Sequence, residues 1–274
     1  MLNIKKSIVV VRGGGDLATG VVHRLHRSGF KVLILEVAQP LVVRRTVAFA
    51  QAVIDHQTVV EAVRAVKAGS KKEIDAAWQQ GEVPVYVDPA GDIIKKLKPC
   101  AVIDATLAKR DTGMHRDMAP LTIALGPGFE AGKQVHVVIE TMRGHNLGRL
   151  FFKGSALPDT GKPDPVMGYG AERVLRSPCK GAIRHVLDIG AHVKKEEIIC
   201  YVSEAPVRAP FDGVVRGLIM NGREVPQGLK IGDVDPRLVT DHCHTISDKA
   251  RTLGGSVLEA ILYWNNKRPE QDIV

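Results

Sequence analysis

An ungapped internal repeat in the last third of the chain limits what this region can fold into. The segment from Arg176 to Ile199 recurs, thirty-two residues later, from Arg208 to Ile231. The identical pairs are Arg176/Arg208, Pro178/Pro210, Gly181/Gly213, Arg184/Arg216, Gly190/Gly222, Val193/Val225 and Ile199/Ile231. Because each unit of a repeat must pack on its copy to bury an apolar face, we expect a separate duplicated domain here.

Composition and charge narrow the class of protein. The 274 residues are 45% hydrophobic, which is typical of a globular protein, and no apolar run is long enough to span a bilayer. The four cysteines form no C-x-x-C pair, which favours a location in the reducing cytoplasm. His242-Cys243-His244 has donor atoms that suit zinc, but no fourth ligand for a metal is obvious. A net charge of +8 predicts anionic partners, but dispersed cations and 4% aromatic residues argue against nucleic acid.

The first 140 residues alternate β-branched runs with helical patterns, which predicts an α/β fold with a mostly parallel sheet. A glycine- and proline-rich stretch then marks a boundary, and short strands follow it. The predicted domains are 1–150 (α/β), 151–172 (linker), 173–240 (duplicated and β-rich) and 241–274 (helix and tail). The predicted strands of the first domain are Ile8–Arg12, Lys31–Glu36, Val83–Val87, Ala101–Asp104, Leu121–Leu125 and Val135–Ile139.

A glycine-rich turn joins the first predicted strand to the first predicted helix. Gly13, Gly15 and Ala18 fit the G-x-G-x-x-G/A spacing of dinucleotide-binding folds, in which a pyrophosphate approaches the helix N-terminus. Glu36 lies about 20 residues further on, where an acid would bind a ribose hydroxyl. Asp16 either competes with the phosphate or caps the helix. We therefore expect a Rossmann-like domain whose cofactor-binding residues here are Gly13, Gly14, Gly15, Asp16, Ala18 and Glu36. The alternative is a Rossmann-like turn that serves packing alone.

A second group of polar residues follows the strand Ala101–Asp104. Asp104 and Lys109 would lie near the carboxyl end of a strand, where open α/β sheets bind ligands, and we count both as candidate binding residues. The alternative is that the loop charges are simply solvated. Arg44 and Arg45 form another basic pair, which we interpret as surface residues.

A third group follows the strand that ends at Ile139. Arg143 and Arg149 could clamp a phosphate, and Glu140 or His145 could transfer a proton, so these two are the catalytic candidates. The alternative is a connecting turn that the same side chains tie down. One sequence does not distinguish the two.

Several longer motifs resemble a known family. They are GGGDLATG at 13–20, IDATLAKR at 103–110, GPGFEAG at 126–132, VIETMRGHNLGR at 138–149 and LKIGDVDPR at 229–237. Together they look like the YqeB family of selenium-dependent molybdenum hydroxylase system proteins. The resemblance implies an accessory protein that matures such a hydroxylase. The glycine turn is also similar to the Rossmann part of XdhC-type chaperones, which handle molybdenum cofactor.

The repeat resembles the two halves of biotinyl and lipoyl domains. This likeness implies a small C-terminal domain of the barrel-sandwich-hybrid type. In those carriers a lysine between the halves accepts the cofactor, whereas the corresponding stretch here, Ser203–Val207, contains no lysine. Covalent carriage of biotin or lipoate is therefore disfavoured.

These observations lead to one functional hypothesis and two rivals. The leading one is a cytoplasmic accessory protein that binds a phosphorylated small molecule, either molybdenum cofactor or a nucleotide, and serves a selenium-dependent molybdenum hydroxylase. The first rival is an NAD(P)-dependent oxidoreductase of a small metabolite, and the second is a scaffold that only contacts the hydroxylase. We expect no nucleic-acid or membrane partner, and self-association into a homo-oligomer stays open.

Overall fold

The computed structural model describes residues 3–108, 110 and 112–266, which form two compact units. The first unit comprises Met1–Pro40, Phe49–Asp159 and Ile246–Val274, and the second comprises Leu41–Ala48 and Thr160–Thr245. The C-terminal helix is thus part of the first unit, and a short segment from the N-terminal region is part of the second. Within the described ranges, none of the helices has the length and apolar character that crossing a membrane requires.

The first unit is built on a nine-stranded sheet with the order β3-β4-β5-β2-β1-β6-β7-β8-β9. The run from β4 to β8 is parallel, whereas the outer strands β3 and β9 are antiparallel to their neighbours. The predicted α/β class with a large, mostly parallel sheet is confirmed. The strands are β1 Ile8–Arg12, β2 Lys31–Glu36, β3 Gln57–Val60, β4 Val63–Ala68, β5 Val83–Val87, β6 Ala101–Asp104, β7 Leu121–Leu125, β8 Val137–Ile139 and β9 Leu150–Phe151.

Two of the α-helices in the described part of this unit cross at very short range. The helices are α1 Asp16–Arg27, α2 Ala52–Asp55, α3 Lys71–Gln79, α4 Ile94–Leu97 and α5 Asp248–Asn266. A Cβ placed on Gly20 of α1 would lie 2.5 Å from the Ala250 carbonyl oxygen of α5, and one on Gly254 would lie 2.6 Å from the Gly20 oxygen. Only glycine permits this approach, since real Cβ atoms do not pack so closely. The crossing holds α5 against α1.

The central strands are buried because helices and loops cover the sheet. Val9, Val10 and Val11 of β1 are fully buried, as the near-continuous apolar run of a central parallel strand requires. Val10 packs in a core with Leu33 of β2 and Ile74 of α3. The loops at the carboxyl ends of these strands are thereby held on a rigid support.

The second unit consists of two four-stranded antiparallel sheets with the orders β10-β17-β15-β12 and β14-β13-β11-β16. Every strand of the first repeat copy recurs in the second copy at a spacing of thirty-two residues, and each sheet takes two strands from each copy. A shared apolar core includes Ile183, Ile199, Val215 and Ile231. The strands are β10 Val174–Arg176, β11 Gly181–His185, β12 His192–Val193, β13 Ile198–Val202, β14 Ala205–Arg208, β15 Gly213–Leu218, β16 Glu224–Val225 and β17 Lys230–Asp235.

Arg44 of the second unit is buried. It is 7% exposed, and its Nη2 donates hydrogen bonds to the His242 and Thr245 carbonyl oxygens, at 2.9 and 3.0 Å. The interpretation of Arg44 as a surface residue is therefore wrong.

Candidate functional site

A pocket of about 490 Å³ opens at the carboxyl ends of β1, β2, β5 and β6 in the first unit. Its volume lies within the range of roughly 300–1,000 Å³ that is common for small-molecule sites. The lining residues are Arg12, Gly13, Leu35, Glu36, Val37, Asp88, Pro89, Thr106, Ala108, Arg110 and Thr112. Gly13 of the glycine-rich turn and Glu36, the predicted ribose-binding acid, therefore border the same cavity.

The structural requirement for glycine differs among the three positions of the turn. Gly13 has a positive φ of 91°, a conformation that side chains rarely adopt. Gly14 lies against the chain at Ala50, where an added Cβ would be 2.8 Å from the backbone nitrogen. Gly15 has an ordinary φ of −64° and ψ of 180°, and a Cβ there would meet nothing within 4 Å. Packing and backbone conformation thus explain the first two glycines and leave the third unexplained.

Glu36 contacts the glycine turn directly. Its Oε2 accepts a hydrogen bond from the Gly14 backbone N–H, and its Oε1 accepts one from the Val37 N–H, both at 2.8 Å. A carboxylate has about four acceptor positions, so each oxygen retains capacity for another donor. The two backbone bonds fix the orientation of the carboxylate at the edge of the pocket.

Asp16 is the first residue of α1, after the N-cap Gly15, and its carboxylate engages a backbone N–H of the first turn. Its Oδ1 accepts a hydrogen bond from the Leu17 N–H at 2.8 Å. A carboxylate at this position interacts favourably with the helix dipole, but it also reduces the positive potential available to an anion. Ala18 is buried in the first turn of the helix.

Arg12 and Asp104 form a buried ion pair beneath the pocket. Arg12 Nη1 lies 3.5 Å from Asp104 Oδ2, and Asp104 is 1% exposed. Asp104 also accepts hydrogen bonds from the side chains of Thr106 and Thr112, and Arg12 donates to the Pro89 and Thr112 carbonyl oxygens. Asp104 therefore shapes the loop after β6. Sequence reasoning missed Arg12, although its position next to the glycine turn could have indicated it.

The basic residues of the β6 loop are partly described. Arg110 lines the pocket and is exposed. Lys109, the predicted binding residue beside it, lies outside the described residues. Arg110 is thus the cation of this loop that the structure places at the pocket.

The third predicted group does not line this pocket. Glu140, which is 1% exposed, accepts hydrogen bonds from the backbone N–H groups of Met142 and Leu157 at 2.7 and 2.9 Å. Arg143 makes a bidentate ion pair with Asp248 of α5, at 2.5 and 2.7 Å. These contacts tie down the chain after β8.

The two other members of this group also lie away from the pocket. Arg149 lies 5.6 Å from the ring centre of Phe151, and its Nη1 is 3.5 Å from the Asn146 amide oxygen. His145 is exposed on the same loop. The structure therefore does not bring Arg143 and Arg149 together with the glycine turn, and their predicted roles stay predictions.

Sequence comparison gives one informative relative. The chain is 49% identical over 255 residues to the uncharacterized protein YqeB of Escherichia coli (strain K12). The chain is a homologue of YqeB. The aligned region is 93% of this chain and 47% of the relative, so the chain spans about half the length of that protein. The homology supports the YqeB family name that the motifs suggested, and no family model matches the chain.

Solved structures give only distant similarities. The ectoine utilization protein EutE (DoeB) from Ruegeria pomeroyi, in a product-bound structure, is 11% identical, with a TM-score of 0.23, covering 82% of this chain and 56% of that one. An aspartoacylase family protein from Mesorhizobium loti is 12% identical, with a TM-score of 0.25, covering 83% and 84%. Scores this low carry no argument about fold or function.

Proposed function

We propose that the first unit is a Rossmann-like domain that binds a ribose-containing phosphorylated ligand at the pocket above β1, and that the chain is an accessory protein for a molybdenum hydroxylase. The observation that carries the ligand proposal is the position of Glu36. Its carboxylate is fixed by the glycine turn and borders the same cavity as Gly13. The accessory role rests on the family resemblance of the motifs, since the homology with the uncharacterized protein YqeB supports the family name alone.

The strand order supports a dinucleotide-type site. When β4, a further parallel strand outside β5, is left aside, the parallel strands β5-β2-β1-β6-β7-β8 follow the order 3-2-1-4-5-6 of doubly wound folds. In such sheets the ligand binds where the order reverses, outside the carboxyl ends of the strands. Here that position is the end of β1, between β2 and β6, which is where the pocket opens.

The free space beside Gly15 supports a phosphate at the helix start. Gly15 is the N-cap of α1 and makes no side-chain capping bond, so a ligand can approach the helix start, where the Leu17 N–H is the one already engaged by Asp16. Arg110 adds positive charge to the pocket. Glu36 would accept hydrogen bonds from ribose hydroxyls and would repel a 2′-phosphate, which favours a nucleotide with a free 2′-hydroxyl.

Binding without catalysis is the better supported role for this pocket. The described lining residues include no histidine or lysine, and the Asp88 carboxylate is already engaged by the backbone N–H groups of Gly91 and Ile93. Arg12 is held by Asp104 and by carbonyl oxygens. Hydride transfer to or from a small metabolite is usually accompanied by proton transfer to or from a positioned side chain. The hypothesis of an NAD(P)-dependent oxidoreductase is therefore supported by the proposed nucleotide site alone.

Calorimetric titration of the full chain with ADP-ribose, NADH and NADPH tests the ligand proposal. We expect saturable binding of ADP-ribose and NADH and weaker binding of NADPH. Glu36→Gln should weaken the binding of ADP-ribose by about tenfold or more, because a hydrogen bond to a charged group contributes about 1.5–3 kcal/mol. Glu82→Gln is the matched control, since Glu82 pairs with Arg64 and does not line the pocket.

Two outcomes would contradict the ligand proposal: absence of binding for all three compounds, or equal affinities for Glu36→Gln and the wild type. The accessory role needs a separate assay, in which a molybdenum hydroxylase is produced with the wild-type chain or with Gly15→Asp. We expect an active hydroxylase only with the wild-type chain. Full activation by a folded Gly15→Asp variant would favour the scaffold hypothesis.

A further inference from the structure

A second cavity, of about 550 Å³, lies beside α4 in the first unit. One wall is formed by α4 and its flanking residues, within the range 90–99, and the other by the connection from β6 to β7, within the range 115–120. We call it the α4 cavity. Its described lining residues and those of the pocket above β1 do not overlap. Its volume, too, is in the range that is common for small-molecule sites.

The α4 cavity lies between two connections that contain little helix. Consecutive parallel strands are usually joined by a helix, and helices average about three turns. Here α4 has four residues, and the connection from β6 to β7 has a three-residue turn of 3₁₀ helix at Arg116–Met118. Two segments this short leave a gap beside each other, and the cavity is that gap.

The cavity has an apolar floor. Ile94 is 2% exposed and belongs to the same core as Val10 and Leu33. Met118 and Ala119 of the facing wall are partly exposed and pack against this core. An apolar group that enters the cavity would cover the margin of the core and would be removed from water, which stabilises the bound state.

The rim of the cavity is charged, and its cations outnumber its carboxylates. The charged lining residues are Lys95, Lys98, Asp92 and Asp117, and the exposed neighbours Lys96 and Arg116 add two further cations. Among the described residues, neither Lys95 nor Lys98 forms an ion pair. The rim therefore attracts an anion, whereas its two carboxylates disfavour a second negative charge on the same ligand.

Lys98 has a backbone conformation that favours other residue types. It ends α4 with a φ of 47° and a ψ of 59°, in the left-handed region. Glycine or asparagine is usual at such a helix end, because a Cβ is disfavoured there. A helix of four residues has only a small dipole for a cation to stabilise. We attribute the lysine to the ammonium group that it places at the cavity.

We propose that the α4 cavity binds an organic monoanion with an apolar body, of the class of aliphatic and aromatic carboxylates. The apolar body would lie on Ile94 and Met118, and the carboxylate would interact with Lys95 and Lys98. Small-molecule sites commonly combine an apolar lining with a few polar groups that fix the orientation of the ligand. This site is separate from the nucleotide pocket and does not depend on the function proposed for it.

Titration of the isotope-labelled full chain with butyrate, hexanoate and octanoate, followed by nuclear magnetic resonance, tests the proposal because shifted amides locate the bound compound. We expect saturable shifts at the amides of Ile94, Lys98 and Met118. Each added methylene should tighten binding about two- to fourfold, as burial of apolar surface predicts. Affinity that does not rise with chain length would overturn the proposal, as would shifts confined to other parts of the chain.

Adjacent lysines of α4 supply a matched control. Lys95→Gln and Lys96→Gln remove the same charge from the same helix, but of these two residues only Lys95 lines the cavity. Lys95→Gln should weaken octanoate binding about two- to fivefold, the effect of one exposed charge, and Lys98→Asn, which suits the left-handed conformation, should do the same. Lys96→Gln should have a smaller effect. Equal affinities for Lys95→Gln and Lys96→Gln would contradict the proposed position of the carboxylate.

A variant with the opposite expected sign guards against effects of lost structure. Asp92→Asn removes a negative charge from the rim, so it should tighten octanoate binding about twofold or more, which unfolding cannot produce. Unchanged or weaker binding by folded Asp92→Asn would refute the site. Inorganic phosphate tests whether charge alone is recognised: we expect no saturable shifts at the same amides, and binding as tight as that of octanoate would overturn the proposal.

Discussion

Alanine substitutions at the two adjacent glycines of the turn should separate folding from ligand binding. At Gly14 the new Cβ would lie 2.8 Å from Ala50 N and 3.1 Å from Ala50 Cα. That backbone cannot retreat easily, since Ala50 N–H donates to the Gly14 oxygen at 2.8 Å. Forced overpacking of this kind costs about 1–3 kcal/mol, so Gly14→Ala should lower the free energy of unfolding by that amount.

Gly15→Ala should be nearly neutral for stability. The backbone angles suit alanine and the added methyl meets nothing within 4 Å. A poorer N-cap residue costs less than about 1 kcal/mol, and reduced freedom of the unfolded chain offsets about 0.4–1 kcal/mol. The methyl would, however, project into the space where we place the ligand phosphate. Loss of one charge-assisted hydrogen bond, about 1.5–3 kcal/mol, corresponds to at least about tenfold weaker binding.

Urea unfolding measures the stabilities, and calorimetric titration with ADP-ribose measures the affinities. The reasoning predicts that Gly15→Ala has nearly wild-type stability with impaired binding, whereas Gly14→Ala is the less stable protein. If Gly15→Ala binds ADP-ribose as tightly as the wild type, the phosphate does not approach the helix start. If it is instead the more destabilised of the two, the open space beside Gly15 is not present in solution.

Three further predictions concern stability. Gly20→Ala should destabilise the first unit by about 1–3 kcal/mol in urea unfolding, because its Cβ would lie 2.5 Å from the Ala250 oxygen. Glu140→Gln should cost about 1–3 kcal/mol by the same measurement, since an amide cannot accept from both N–H groups that the buried carboxylate satisfies; wild-type stability would argue against an anchoring role. Burial raises the pKa of Asp235, but bonds from Arg237 and nearby positive charge lower it overall from 3.8 to about 2. Its stabilisation, about 2 kcal/mol, is therefore present above pH 4 and lost as the pH falls towards 2, so Asp235→Asn should flatten the acid limb of a pH–stability curve.

The strands and helices around the turn could be predicted because each carries its own local signal. The structure has β1 at Ile8–Arg12 and α1 at Asp16–Arg27, the bounds that apolar patterning and the capping glycine indicate. The sequence could not show how the helices cross. Gly254 weakens the prediction of a C-terminal helix by propensity, yet it is needed where α5 passes over Gly20. A glycine selected for close packing is indistinguishable, in one sequence, from a glycine that ends a helix.

In the candidate site, too, contacts between neighbouring strands could be predicted from the sequence, whereas contacts between distant segments could not. The proximity of Gly14 and Glu36 could be predicted, since Glu36 ends β2 and Gly14 comes just after the adjacent parallel strand β1. Arg143 could not be placed, because its partner Asp248 is more than one hundred residues away in the chain. A charge in a loop has no periodic pattern, so its partner is set by tertiary packing alone.

The repeat illustrates why identity between two copies does not imply the same role. Arg184 and Arg216 are identical and occupy equivalent strands, yet one lies on the surface and the other in a buried ionic group. The difference comes from the residue opposite, Tyr201 in one copy and Asp233 in the other. An arginine that was merely inherited would not need a buried carboxylate beside it, and a buried carboxylate is costly unless paired. Changes at the partners of identical residues, more than the identities themselves, therefore indicate where the two copies have diverged in function.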